Sequence, residues 1–426
     1  VMITVILIVF LVNLFLGVPL FISLLMSSIA GFFFVDIDLA FRIIPQQFFS
    51  GIDSFSLMAV PLFILAGNLL NESGLTPKLM NLSKALVGHL KGGVGYVNVI
   101  SSVFFAGVNG SAVADTSALG TLLVPAMKKE GYSTGFAASL TAGSSLIGPI
   151  IPPSIFMIIY ASLTNTSVGD LFLAGIMPGL ALGAIFFIVN WRYARKHDLQ
   201  SSQTKPSIKH VFRAIVHALP AVFAPILIVS SIILGFVTPT ESGALIVLYT
   251  VIVGLLLRTL KWSSILKAIV DAAKLTTAIF IIIASSSVLT WLLGYAQVPA
   301  AFASLLAPFI DSPIIILFVL SGITFFVGML MEEVSALMLL TPVFMPIATY
   351  AGVDPVHLGI VITMNITIAL ITPPMGACLY VASAVSKIDL AVMFREIIPF
   401  IFYALLILFL VILVPDFVLF IPGALS

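Results

Sequence analysis

Charge is what this sequence has least of. Asp, Glu, Lys and Arg together make up 8% of its 426 residues, against 61% hydrophobic residues. That scarcity excludes a soluble domain, whose surface needs charge, and points to a chain solvated by lipid. Lys and Arg number 18 and Asp and Glu 17, so no basic surface exists for nucleic acid and no such partner is expected. A single cysteine, Cys378, rules out an internal disulfide framework. Five scattered histidines offer no paired metal-ligand spacing. A phosphate-binding Gly-x-x-x-x-Gly-Lys is missing too, so ATP has no P-loop to sit in. The apolar first 35 residues lack the basic segment and cleavage pattern of a secretory signal and read as membrane helix.

What is present is long apolar runs along the whole length. At about 20 residues per span, the chain has room for about ten to twelve crossings and no extramembrane catalytic domain. An all-α polytopic membrane protein is the fold class expected. Residues 192–213 form the one long polar stretch, with six Lys or Arg against one Asp. This is the natural linker between two halves, and its charge places it on the cytoplasmic side. Two amphipathic pieces, 76–91 and 261–274, are too polar to span and are expected to lie along the interface or act as connecting arms.

The halves repeat each other. FFAG at 104–107 precedes a polar patch and TLLVP at 121–125; FFVG at 325–328 precedes a polar patch and MLLTP at 338–342. A Pro-Pro pair follows in each, IIPPS and ITPPM, and the register then holds through Ala161 and Ala382, Ser162 and Ser383, Pro178 and Pro399. Apolar composition would match the Leu and Phe positions by chance, but not the shared prolines.

Charge orients the two repeats. Lys91, Lys128 and Lys129 bracket the first patch, placing both flanks on the cytoplasmic side. Asp311 and Asp354 bracket the second, with no Lys or Arg between Lys274 and Lys387. The repeats are therefore expected to be inverted. Each stretch between flanks could make two full crossings joined by a polar loop, but a re-entrant hairpin, a recognised transporter device, is the reading expected, so each repeat holds a re-entrant hairpin and a Pro-interrupted helix.

The patches and the proline pairs carry the chemistry. Gly107, Gly110, Ser111, Asp115, Thr116 and Ser117 are small or oxygen-bearing and suit a tip where helix ends meet. A broken helix leaves carbonyls at one end and N–H groups at the other, so it can attract a cation and an anion together. The matching break is GPIIPP at 148–153, whose prolines free upstream carbonyls. Ser144, Ser145 and Asn109 add oxygens. Such a donor set favours a hard monovalent ion, Na⁺.

The second half sets Gly328, Glu332, Glu333 and Ser335 opposite Thr367, Thr372, Pro373 and Pro374. An ionised carboxylate at bilayer depth costs at least ~2.5 kcal/mol unless it faces a cavity or a cation. Adjacent helical residues diverge by about 100°, so one glutamate is expected to face the site and the other to cap a helix. Blander readings stand beside these. Asn109, Ser111 and Ser117 can simply be helix caps, the prolines can be kinks, and Asp115 can be a structural ion-pair partner, although no base lies between Lys91 and Lys128. Gly175, Gly179 and Gly183 fit close helix packing. Ser264 and Lys267 form a Ser-x-x-Lys spacing without supporting motifs.

The runs FFAGVNGSAVADTSALGTLLVPAM, GSSLIGPIIPPSIFMIIYA, GFVTPTESGAL and ITPPMGACLYVASAV resemble the large membrane subunit of TRAP (tripartite ATP-independent periplasmic) transporters over nearly the whole chain. The tips depart from a repeated small-hydroxyl pattern, reading NGSAVAD and MEEVSA. The resemblance implies a Na⁺-coupled importer of organic acids in the bacterial inner membrane. It also implies the elevator fold of the ion-transporter superfamily, a small membrane subunit and a periplasmic substrate-binding protein as partners, with sialic acid or a C4-dicarboxylate as substrate. One Na⁺ would sit at Asn109, Gly110, Ser111, Ser144, Gly148 and Pro149, another at Gly328, Glu332, Glu333, Thr372 and Met375. Substrate would lie between the tips, near Ser111, Asp115, Ser145, Glu332 and Ser335.

On this reading residues 1–91 form N-terminal scaffold and arm helices, 92–190 the first transport repeat, and 191–213 the linker. Residues 214–312 form the second scaffold and arm helices, 313–388 the second transport repeat, and 389–426 a C-terminal membrane helix. Because nothing extra precedes Val1, the small subunit is expected to be a separate chain. Three other classes remain open. An intramembrane serine hydrolase using Ser111 would need a base, and neither His89 nor His357 lies in its repeat. A non-transporting membrane scaffold would need neither tip. An ion channel would pass ions without saturable uptake.

Overall fold

A computed structural model describes residues 1–199 and 206–425; the side chains of Thr76, Val108 and Asn109 lie outside the described residues. The described chain is helical throughout, with twenty-one α-helices and two short 3-10 turns. Lipid offers no hydrogen bonds, so an apolar chain must satisfy its backbone within each segment, which helices do.

Among the described residues five α-helices have the length and apolarity to cross a membrane, and three bent pairs raise the figure to eight. This is fewer than the ten to twelve crossings expected from length. The difference lies in apolar helices too short to span, such as Ile155–Thr164, Pro313–Gly328 and Pro355–Ala369. They are halves of hairpins and broken helices.

Three further expectations need correction. The amphipathic piece 261–274 is no separate arm; it opens the continuous 34-residue helix Trp262–Tyr295, whose following turns are apolar enough to carry it onward. The linker is shorter than 191–213, because Val168–Lys196 stays helical to its basic last turn and the next helix starts at Ile208. Residues 200–205, in the middle of the linker, lie outside the described residues. The C-terminal segment is not one helix but three, Leu390–Glu396, Ile398–Leu413 and Asp416–Leu425, the last two meeting at 59°.

Two groups of helices can be traced, and they meet where Trp262–Tyr295 lies against Glu333–Tyr350. Ala59–Glu72 lies against Pro239–Leu256 and Trp262–Tyr295, and the latter also covers Leu20–Phe32 and Ile37–Ser50. The second group contains both hairpins and both broken helices. Its backbone is Val168–Lys196, where a Cβ at Gly175 would strike the Ile150 carbonyl and one at Gly179 the Ile151 side chain. The small-residue face thus lets the first break lie directly on this helix.

Val168–Lys196 also measures the repeats against each other. Its 29 residues span about 44 Å, roughly a bilayer's full depth. Lys91, at the base of the first hairpin, is 3.9 Å from Asp198 just beyond its C-terminal end. Asp354, at the base of the second, shares a small cavity with Asp170 at its N-terminal end. The two hairpins therefore enter from opposite sides.

Candidate functional site at the hairpin tips and helix breaks

The first hairpin is Gly93–Asn109 and Ala112–Lys129; the second is Pro313–Gly328 and Glu333–Tyr350. Their outgoing limbs are both 18 residues long, and both start at a capped residue, Ser111 and Glu332. These caps stand the same interval apart as Pro152 and Pro373. The broken helices are Thr134–Ser145 with Ile155–Thr164, and Pro355–Ala369 with Ala377–Ser386. Each contains a Pro-Pro peptide bond, both cis.

Tip and break touch in the first half. Gly110 adopts φ +58°, and a Cβ there would lie 2.8 Å from the Pro153 carbonyl oxygen, so geometry and space both demand glycine. A Cβ on Gly148 would lie 2.9 Å from Asp115 Oδ2 and 3.6 Å from the Ser111 carbonyl carbon. Asp115 itself is fully buried. Ser111, Asp115, Gly110, Gly148 and the buried Pro149 thus come together. The Ser111 hydroxyl accepts a long bond from Ala114 N–H at 3.4 Å, making it a cap with lone pairs to spare.

Ser144 and Ser145 turn elsewhere. Ser102 Oγ donates to Ser144 Oγ at 2.8 Å, and Asn98 Nδ2 donates to Thr141 Oγ1 at 2.6 Å. Ser145 Oγ donates back to the Thr141 carbonyl at 2.8 Å. The Ser144 hydroxyl thus binds hairpin limb to broken helix, while that of Ser145 stays within its own helix. The second half repeats the device where Asn365 Nδ2 donates to Ser321 Oγ at 2.9 Å. Asn365 stands to Ser144 as Pro373 does to Pro152, so extending the register upstream of the prolines would have revealed it.

In the second half Gly328, Met331, Glu332, Glu333, Met375 and Gly376 line a cavity of about 260 Å³. The glutamates divide their roles. Glu332 caps the outgoing limb, accepting from Ser335 N–H at 3.1 Å and Ser335 Oγ at 3.3 Å. Glu333 Oε2 is buried and has no hydrogen-bond partner among the described residues. Ser335 is buried beneath the cap and serves it. Thr372 spends its hydroxyl on the Ile368 carbonyl at 2.9 Å, and its own carbonyl accepts from Gly376 N–H at 3.1 Å.

The same cavity is also lined by Val113 of the first hairpin. This joins the halves. Ala377–Ser386 packs along Ala112–Lys129, and Ile155–Thr164 packs along Glu333–Tyr350, so each half's second broken segment lies on the other half's hairpin. Cys378 is buried in the first of these contacts, its thiol meeting Thr116 within electrostatic reach of Asp115 and Glu333. Asn109 closes the first limb, but its side chain lies outside the described residues. Sequence reasoning missed Val113, Gly376 and Cys378, since nothing local marks residues gathered from opposite halves.

Hairpins entering from opposite sides, paired with interrupted helices, define a membrane transporter of the inverted-repeat kind. The family profile described as "Tripartite ATP-independent periplasmic transporter, DctM component" matches residues 7–417, and the chain belongs to that family. It is 36% identical over 407 residues to the 2,3-diketo-L-gulonate TRAP transporter large permease protein YiaN of Escherichia coli, covering 95% of each chain. It is 34% identical over 410 residues to the sialic acid TRAP transporter large permease protein SiaM of Vibrio cholerae, covering 96% of each. In fold it resembles the Alcanivorax borkumensis YdaH transporter, with TM-score 0.64 and 13% identity over 89% of this chain and 88% of that one. Neisseria gonorrhoeae MtrF is similar to the same degree, with TM-score 0.64, 13% identity and 94% of each chain covered. The chain is a multi-pass inner-membrane large permease component, and its relatives are named as transporters rather than enzymes, which disposes of the hydrolase reading.

Proposed function

We propose that this chain carries an organic acid and Na⁺ together across the bacterial inner membrane by an elevator movement. A periplasmic binding protein delivers the acid, and a small membrane subunit completes the transporter. The observation that carries the reading is the cavity shared by Val113 of one repeat with Glu332, Glu333 and Met375 of the other. A carboxylate cannot enter a cavity lined by two glutamates unless cations enter with it. Its ionisable lining is carboxylate, from Glu332 and Glu333, with no nitrogen ligand among its side chains, and such hard oxygen donors suit Na⁺. The helices that start at Ala112, Glu333 and Ala377 have first-turn residues in its lining, and their N–H groups supply the attraction for the acid.

Neither half holds the whole set, so both must move as one body. The hairpins, broken helices and Val168–Lys196 form the carrier, and the group around Ala59–Glu72 and Trp262–Tyr295 forms the scaffold. Sialic acid and C4-dicarboxylates are the first substrates to test, with 2,3-diketo-L-gulonate added from the relatives' names. Reconstitution with candidate partners and labelled acids, in vesicles with imposed Na⁺ gradients, decides the point. Uptake that follows an inward Na⁺ gradient supports the reading; uptake indifferent to Na⁺ defeats it.

A further inference from the structure

A second, larger cavity of about 470 Å³ opens far from the tips, beside the basic end of Val168–Lys196. Its rim carries Lys91, Arg195 and Asp198; its wall is Tyr96, Phe187 and Trp191. Tyr96 and Phe187 meet as a tilted pair with ring centroids 4.2 Å apart, and the Arg195 guanidinium lies 5.6 Å above the Trp191 ring. Lys91 and Asp198 face each other at a loose 3.9 Å with both side chains well exposed.

We propose that this cavity holds the headgroup of an anionic phospholipid from the cytoplasmic leaflet. Cationic rim and aromatic wall meet here at the depth where a glycerophosphate joins its acyl chains. Two cations against one carboxylate leave a net positive rim that matches a phosphodiester. Arg195 is held over Trp191 and presents its donors, while the Lys91 ammonium is tied only by a long, exposed contact that a phosphate displaces. The acyl chains then run along Phe187 and Trp191. The lipid so bound sits on a helix of the proposed carrier rather than of the scaffold.

Trp191 reports occupancy. The chain has three tryptophans, so Trp262→Phe and Trp291→Phe in the full-length protein leave Trp191 as the one fluorophore. In nanodiscs, phosphatidylglycerol brominated near the glycerol end of its acyl chains is compared with equally brominated phosphatidylcholine. The expected result is stronger quenching by the anionic lipid, reduced about fivefold in apparent affinity by Arg195→Gln and similarly by Lys91→Gln. Asp198→Asn is expected to shift affinity the other way. Equal quenching by the two lipids overturns the proposal. So does relief of quenching by millimolar inorganic phosphate, which would make this a site for free phosphate. Unchanged preference in the folded Lys91→Gln/Arg195→Gln double variant overturns it as well.

Discussion

Gly148 and Asp115 are in contact: a Cβ added to the glycine would stand 2.9 Å from the carboxylate Oδ2. The first helix break and the first hairpin approach so closely here that a methyl group would crowd the carboxylate. Gly148→Ala is expected to push the buried carboxylate aside and raise the Na⁺ concentration for half-maximal uptake roughly tenfold, a loss of ~1.4 kcal/mol in ion binding. Sodium titrations that superimpose on those of the unaltered protein would detach this contact from the ion site.

Gly110 tests the tip itself. Alanine there must adopt φ +58° and also meet the Pro153 carbonyl, so Gly110→Ala is expected to cost ~1–3 kcal/mol. Thermal unfolding in detergent reads this directly. An unshifted melting temperature would mean that tip and break do not rest on each other.

The adjacent glutamates are expected to separate cleanly. Glu332→Ala removes a cap bonded to Ser335 and should cost ~1 kcal/mol of stability. Glu333→Gln removes a buried carboxylate with no hydrogen-bond partner among the described residues. It should leave melting unchanged or raise it while weakening the Na⁺ dependence of uptake. The reverse assignment of the two phenotypes would exchange their roles.

Repeats, breaks and tips were legible because prolines, glycines and rare acids mark positions that an apolar chain does not otherwise need. Pro152 and Pro373 carried the register, and helix geometry indicated that one of the two adjacent glutamates would cap, without saying that it is Glu332. Ser144 has a second task that the sequence did not show: its hydroxyl accepts from Ser102 and donates to Asn98 of another helix. No local pattern could show that. Which apolar runs stop part-way was hidden for a related reason, since apolar composition does not distinguish a half-helix from a span. Val113 and Cys378 became visible only when the two halves were folded together.

The opposed entry of the hairpins can be read by labelling. In a Cys378→Ser background, Lys128→Cys is expected to react from the cytoplasmic side, and Asp311→Cys and Asp354→Cys from the periplasmic side. The long helix places Lys91 and Asp354 at its two ends. Modification of all three from one side would remove the inversion.

Carrier movement is tested most directly at a hydroxyl pair that joins the two helix groups. Ser54 Oγ, in the proposed scaffold, lies 2.8 Å from Ser162 Oγ, on the broken helix of the proposed carrier. The pair is replaced by Ser54→Cys and Ser162→Cys, again with Cys378→Ser, and joined by oxidation. An elevator predicts that closing this bond abolishes Na⁺-driven uptake in reconstituted vesicles, preserves acid binding from one side, and is fully reversed by reductant. Undiminished uptake with the bond shown to be closed would contradict the movement of hairpins and breaks across the scaffold.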